Sequence, residues 1–293
     1  MGRTSLLLIG TLTLFACSKK KDTPSVPNEG SPASPESPVL AYQESVRAGM
    51  DNLDLVMSFL DEENERQEWT GTMTMVKDRF ATVVHPTSQQ KEIQLRRWSN
   101  VHIAEIPASE QPKANRTENS PLTGQKLIAD RMWKGWKHRF ANPIANVEME
   151  QKLEELDRVE AGVAAFYDGH TLEVGESWQV PATSMVRWFG DEVEEFSGDI
   201  NVRVDRLDTD QDQACVVLAV SFKTTGKMID PDSQALDMEL EGAGEIWRAT
   251  KFGEDLKVVI DGTVLLKAAV AERQIQMSIT GPLVIMEERK LKR

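Results

Sequence analysis

Histidine is the residue type in this sequence best able to bind a metal ion or to move a proton near neutral pH. The chain has four histidines, and no two lie at the H-x-x-x-H spacing that places two imidazoles on one helix face. His170 with Glu173 and Glu176 is the densest group of possible ligands, and we predict that these side chains are solvated. His102 and His138 lie in strand-like segments and are predicted to be on the sheet surface. The sequence therefore predicts no metal site.

Three aspartates at alternate positions, Asp208, Asp210 and Asp212, imitate the start of a calcium-binding loop. An EF-hand loop also needs glycine at its sixth position and glutamate at its twelfth, where this chain has Gln213 and Ala219. The segment is therefore predicted to be a hairpin turn.

Motifs for covalent catalysis or nucleotide binding are absent: the sequence has no G-x-S-x-G elbow, no P-loop and no G-x-G-x-x-G unit. Cys215 lies in an apolar segment and is predicted to be a buried, unreactive thiol. Carboxylates are abundant, so a pair could form a hydrolase site once the chain is folded. One acidic group is predicted to be a solvated edge: Asp191, Glu192, Glu194 and Glu195. We predict no catalytic residue and no cofactor.

The charge balance limits the class of partner. The chain has 293 residues, with 34 Lys and Arg against 47 Asp and Glu, a formal net charge of −13 at pH 7. This excess of acid argues against wide contact with nucleic-acid phosphate, which needs a clustered basic surface. Two cysteines exclude a disulfide framework and a four-cysteine zinc site.

The N-terminus has the pattern of a secretion signal. One positive charge at Arg3 precedes an apolar run over 6–14, which at nine residues is too short to cross a bilayer core of ~30 Å as a helix. The run ends in Leu-Phe-Ala-Cys over 14–17, which resembles the signal of bacterial lipoproteins. The resemblance implies that residues 1–16 are removed and that Cys17 becomes the first residue and is acylated. Ser18 after it implies the outer membrane.

Residues 17–40 are predicted to be the lipidated cysteine and a disordered linker. The segment contains five prolines among Ser, Glu and Asn and shows no apolar periodicity, so it cannot bury enough surface to offset its ordering entropy. As a coil it would reach about 25–30 Å.

The body is predicted to begin with a helix over 41–66. Five apolar residues recur there at spacings of four and three, in one stripe: Val46, Met50, Leu53, Met57 and Leu60. Strand-like segments follow up to Ile106, and Pro107 to Pro121 is predicted to be an exposed loop. Two more strands are predicted around a turn at 134–135.

A second helix is predicted from Asn142-Pro143 to near Tyr167, and about five long antiparallel strands fill the C-terminal third. Gly242 and Gly244 lie inside a strand pattern and predict a bulge or a sharp bend. Seven tryptophans are predicted to seal the sheet against its helices, or alternatively to line a sugar or lipid groove: Trp69, Trp98, Trp133, Trp136, Trp178, Trp188 and Trp247.

The segment Val174-Gly-Glu-Ser-Trp178, followed by alternating strands, resembles a turn that precedes an antiparallel sheet in a set of uncharacterised bacterial lipoproteins. This resemblance covers roughly residues 122–290. The plan is also similar to the half-barrel lipoprotein carriers of the Gram-negative envelope, where a curved sheet covered by helices holds acyl chains. These features imply one α+β domain over 41–293, with a large, curved, half-barrel-like antiparallel sheet covered by two helices.

The expected function is that of a non-enzymatic lipoprotein, anchored in the outer membrane and facing the periplasm, that binds or carries a lipid or other apolar ligand between sheet and helices. Two alternatives remain open. One is a structural envelope lipoprotein that binds a protein partner through the polar sheet face or the first helix. The other is an envelope hydrolase with a carboxylate pair.

Overall fold

A computed structural model describes residues 40–60, 65–108, 113–132, 135–142, 144, 146–190, 193–229, 235–270 and 275–292. The predicted signal peptide, Cys17 and nearly all of the predicted linker lie outside these residues. So do the acidic residues Asp191 and Glu192, and Trp133.

In the described residues, twelve β-strands form one antiparallel sheet. The strands are β1 (Leu40–Leu60), β2 (Arg66–Thr87), β3 (Gln90–Glu105), β4 (Lys113–Asn119), β5 (Lys126–Met132), β6 (Gly135–Phe140), β7 (Ser177–Pro181), β8 (Val193–Asp210), β9 (Gln213–Ile229), β10 (Ala235–Ala249), β11 (Asp255–Val270) and β12 (Ile275–Leu291). Their order is β6-β5-β3-β2-β1-β12-β11-β10-β9-β8-β7, and β4 pairs with β3 beside this path.

The first and last strands, β1 and β12, are neighbours in the middle of the sheet. One edge of the sheet is β6, on the side of β1, and the other edge is β7, on the side of β12. Helix α1 (Val147–Ala165) lies between β6 and β7 in the chain, and a 3-10 turn (Ala182–Met185) and the short helix α2 (Val186–Phe189) lie between β7 and β8. We call the face that packs against the helices the inner face. The predicted large antiparallel sheet with helices is confirmed, although the fold is more strongly β than expected.

The predicted helix over 41–66 is wrong, because residues 41–60 lie in strand β1. Its buried residues alternate through Tyr42, Ala48 and Met50 and then through Leu53 and Leu55. At Asn52 the backbone φ is +53°, and the pairing with β2 slips between Met50 and Leu53. This irregularity moves the apolar residues from even to odd positions, which produced the spacings of four and three that imitate a helix.

The second helix and the C-terminal meander are confirmed. Helix α1 begins later than predicted, at Val147, because the Asn146 side chain accepts a hydrogen bond from the Met149 N–H (3.1 Å) and caps the helix. The aspartate-rich turn joins β8 to β9, with Gln211 and Asp212 at φ values of +50° and +60°. The predicted loop over 107–121 is partly wrong, because it contains the exposed strand β4.

Two cores lie on the inner face. The larger one joins Met185, Trp188 and Phe189 to the middle of β1 and to strands β8–β12. The smaller one packs Met149 and Leu156 of α1 against β1–β3, β5 and β6. Among the described residues, no helix has both the length and the apolar character needed to cross a membrane.

Gly244 marks a place where β10 and β11 approach closely on the inner face. An added Cβ would lie 2.0 Å from the carbonyl oxygen of Val259, and the register with β9 runs through this point unbroken. The predicted bulge is therefore wrong, while the alternative of a sharp bend stays a prediction.

Gly244→Ala should lower the free energy of unfolding by about 1–3 kcal/mol, as overpacking does, because the backbone contact cannot be relieved by a side-chain rotation. Gly49→Ala is the matched control, since its Cβ would meet only ordinary contacts at 3.5 Å or more. Urea denaturation measures both variants, and wild-type stability in Gly244→Ala would contradict the close approach.

Candidate functional site

The inner face is filled where α2 covers it. Trp188 is 2% exposed and Met185 and Phe189 are also buried, so their side chains occupy the space between α2 and the sheet. A cavity of about 20 Å³ remains beneath Trp188 and Phe189. The expected apolar cavity between helices and sheet is therefore replaced here by a packed core.

A buried ionic cluster lies next to this core. Arg187 of α2 has a fully buried side chain, and its Nη2 donates to Asp255 Oδ2 at 2.9 Å and to Glu287 Oε1 at 3.3 Å. The indole Nε1 of Trp188 donates to the same Glu287 oxygen at 2.8 Å. The helix is thus tied to β11 and β12 by charge-assisted hydrogen bonds.

Asp255 is surrounded by donors. Arg187 donates to its Oδ2, while its Oδ1 accepts from the Tyr167 hydroxyl (2.7 Å) and from Arg248 Nη1 (2.7 Å). Burial alone would raise the pKa of Asp255, but the guanidinium groups of Arg248 and Arg187 outweigh burial and hold it well below its usual range. Asp255 is therefore ionised in the folded chain.

The cluster continues across β12 and β1. Arg289 Nη1 donates to the backbone carbonyl of Asp255 (2.6 Å), and its Nη2 donates to Glu44 Oε1 (3.3 Å), which also accepts from Arg79 (3.0 Å). Burial opposes ionisation of Glu44, but Arg79 and Arg289 outweigh it and lower its pKa to about 2. Glu254 pairs with Lys91 at 3.2 Å.

These environments do not suit general acid catalysis. A carboxyl group that donates a proton near neutral pH needs a raised pKa, whereas the pKa values of Glu44, Glu254 and Asp255 are all lowered. The buried carboxylates act as fixed charges that bind arginine and lysine. The cluster gives no support to the hydrolase alternative.

A cavity of about 450 Å³ opens between the C-terminal half of α1 and the ionic cluster. Ala161 and Ala164 of α1 line one side together with Trp136, while Lys91 and Arg289 line another. Its lining mixes acidic and basic groups, so it is not the apolar cavity expected from the sequence.

His85 lies beside the cluster, 6% exposed, with its Nε2 3.8 Å from Glu254 Oε1. Burial lowers the pKa of the imidazole to about 4, although the Glu254 charge opposes this shift. The histidine is therefore neutral in the folded chain at neutral pH.

We expect this histidine to make the folded chain less stable as the pH falls from 6.5 to 4. The imidazole of the unfolded chain binds a proton near pH 6.5 and the folded one only near pH 4, so stability falls by up to about 1.4 kcal/mol per pH unit in that window. His85→Leu should flatten the dependence of the unfolding free energy between pH 6.5 and 5. An unchanged slope in urea denaturation would show that His85 is not the titrating group.

The inner face is apolar and half-exposed at its other end, towards the C-terminus of β1. Five large side chains share this property, and we call them the apolar end: Met57, Phe59, Trp69, Met73 and Met277. Met57 pairs in register with Trp69 on β2 and with Met277 on β12, so three adjacent strands contribute to one row. The rings of Phe59 and Trp69 meet edge to face, with centroids 4.8 Å apart.

The histidines differ from expectation in two cases. His102 is half-buried and lines the small cavity beneath Trp188 and Phe189. His138 is 3% exposed and its Nδ1 lies 2.8 Å from Asp157 Oδ1 of α1, so its predicted surface position is wrong. His170 lies 3.1 Å from Glu176, which also accepts from Thr171. No metal-binding group of His, Cys, Asp and Glu occurs among the described residues.

Other predicted residues behave as expected. Cys215 is buried, as predicted, and burial raises the pKa of its thiol. Glu194 and Glu195 are exposed. Trp98, Trp136 and Trp188 are buried under helices or loops, whereas Trp69 belongs to the apolar end. The alternative function, a structural lipoprotein that binds a protein partner, relied on the polar sheet face or the predicted first helix. Because that segment forms β1 instead, only the sheet face remains for such a partner.

Comparisons with known proteins leave the family open. No protein-family model and no curated protein matches the sequence. A structure of lipovitellin, described as showing lipid–protein interactions, is similar to 88% of this chain at 9% identity and a TM-score of 0.43, and this chain spans only 26% of the lipovitellin chain. A LolA-superfamily protein from Nitrosomonas europaea is similar at 9% identity over 88% of this chain and 89% of its own, with a TM-score of 0.14. Because both TM-scores are below 0.5, function must be argued from the residues of this chain.

Proposed function

We propose that this chain is a non-enzymatic lipoprotein of the outer membrane, facing the periplasm, that binds an acyl chain or similar apolar ligand at the apolar end of the inner face. The observation that carries the proposal is the row of Trp69, Met57 and Met277, half-exposed on three adjacent strands. Large apolar side chains that face a core are normally covered, and grouped exposure of this kind marks a binding surface.

The residue types suit an acyl chain. Methionine side chains are flexible and polarizable, so Met57, Met73 and Met277 can adapt to chains of different length and shape. Each methylene group removed from water contributes about 0.8 kcal/mol. A chain of eight to ten carbons lying across this row would thus gain enough free energy to bind without any charged contact.

The proposed anchor supports the same function. An acylated Cys17 would hold the sheet next to a membrane, and the linker of residues 17–40 would let the inner face reach the lipid surface about 25–30 Å away. Replacement of Cys17 by alanine should release the chain from membranes and abolish labelling by palmitate. Membrane association of Cys17→Ala would refute the anchor without affecting ligand binding.

The ligand proposal is tested on the full chain purified from membranes in mild detergent and then depleted of detergent. Organic extraction followed by mass spectrometry should recover non-covalent fatty acid or phospholipid in a defined ratio to protein. Titration with a fluorescent fatty acid should show saturable, stoichiometric binding. No extracted lipid together with no saturable binding would refute the proposal.

A further inference from the structure

Three methionines and one histidine surround a single small space on the inner face. Met50 of β1 pairs in register with Met75 of β2, and Met75 pairs with His102 of β3, so the three side chains stand side by side. Met228 of β9 faces them. All four line the cavity of about 20 Å³ beneath Trp188 and Phe189.

The size and chemistry of this space suit one soft metal ion. A volume of about 20 Å³ holds roughly one water molecule or one ion. Thioether ligands select Cu(I), and an imidazole is a common additional ligand for copper. Zinc, magnesium and calcium prefer several thiolate, imidazole or oxygen ligands, and the side chains that line this cavity offer only the His102 imidazole and the Asn100 amide of these types. Cross-strand neighbours have Cβ atoms about 4.5–5.5 Å apart, which lets their longer side chains converge on one point.

We propose that Met50, Met75, Met228 and His102 form a binding site for Cu(I). The site lies outside the ionic cluster and shares no residue with the apolar end. Met50 and Met228 are 4% and 5% exposed, so they are shielded from water, while the half-exposed Met75 and His102 leave a route of entry from solvent.

The ammonium group of Lys77, which lines the cavity, is bound by groups of α1 and α2. Lys77 lines the space, but its Nζ lies 3.2 Å from Glu155 Oε1 and 3.4 Å from the carbonyl oxygen of Phe189. Its charge is therefore balanced on the side of α1 and α2. Trp188 and Phe189 cover one side of the space with aromatic side chains, and the other lining residues are Ala48, Gly49, Val76 and Asn100.

Ag(I) is a redox-inert probe for such a site. We would use the full chain carrying Cys17→Ser, which prevents acylation and leaves no thiol at this position. It would be titrated with silver nitrate in calorimetry, and with Cu(I) under reductant against a chromophoric chelator. One equivalent should bind. In spectra of methyl-labelled methionine, Ag(I) should shift the signals of Met50, Met75 and Met228 and leave those of the exposed Met132 and Met286 unchanged.

Variants separate binding from folding. Met75→Leu combined with Met228→Leu keeps the side-chain volume and should weaken binding at least about tenfold, as loss of support for a metal ligand does. His102→Gln should weaken it as well, while Met132→Leu, far from the cavity, should not. The proposal is overturned if no equivalent binds, or if the double variant keeps its wild-type fold and its affinity.

Discussion

Replacing Arg187 by leucine should lower the free energy of unfolding by about 3–5 kcal/mol, the cost of leaving buried charges without their partner. The side chain is fully buried and binds both Asp255 and Glu287, while Trp188 beside it donates to Glu287. Its loss leaves two carboxylates in a packed interior and removes the link between α2 and strands β11 and β12. Urea denaturation followed by circular dichroism is the measurement.

A surface arginine gives the matched control for this change. Arg203 pairs with Asp205 at 2.8 Å, but its side chain is 60% exposed, so Arg203→Leu should cost less than about 1 kcal/mol. Adding Glu287→Gln to Arg187→Leu should recover part of the loss, because one unpaired charge is removed while the Trp188 hydrogen bond can persist. Equal stability of the Arg187 and Arg203 variants would contradict the importance of the buried cluster.

Met73→Lys should weaken fatty-acid binding at least about tenfold, which corresponds to 1.4 kcal/mol. Met73 lies on the inner face at the apolar end, where an ammonium group next to a bound acyl chain would lose hydration without gaining a partner. Thr72→Lys, on the outer face of the same strand, should leave affinity unchanged. Titration with a fluorescent fatty acid compares the two variants.

Residues 72 and 73 are neighbours on β2, so the two variants add the same charge at almost the same place and differ only in the face of the sheet that carries it. Phe59→Ala should give a smaller loss of affinity without adding any charge. Similar affinities for Met73→Lys and Thr72→Lys would place the ligand somewhere other than the apolar end.

The alternation of apolar and polar residues made the strands of the C-terminal half predictable from the sequence. In β1, one backbone irregularity changed this alternation, and the segment was predicted wrongly as a helix. In β8, β10 and β12 apolar and polar residues alternate strictly, so both the strands and their inner faces were evident from residues such as Ile200, Val202 and Val204. In β1 the left-handed Asn52 shifts the alternation by one residue, and a local signal of period two becomes one of period near 3.6.

The ionic cluster left a partial signal that sequence reasoning missed. Leu283 and Ile285 alternate inward on β12, and the same alternation places Glu287 and Arg289 on the inner face, where charged residues need partners. The identity of those partners depends on contacts between distant segments, such as Arg187 with Asp255, which the sequence does not show. For the same reason the rows of methionines on β1, β2 and β12 became apparent only from the register of the strands.

Quenching of Trp69 by a brominated fatty acid tests ligand binding at the apolar end most directly, because bromine quenches an indole only at contact. We expect saturable quenching of tryptophan fluorescence in the wild-type chain and loss of most of it in Trp69→Phe, since Trp188 of α2 is buried in the core. Undiminished quenching in Trp69→Phe, or no quenching in the wild-type chain, would show that the acyl chain does not bind there.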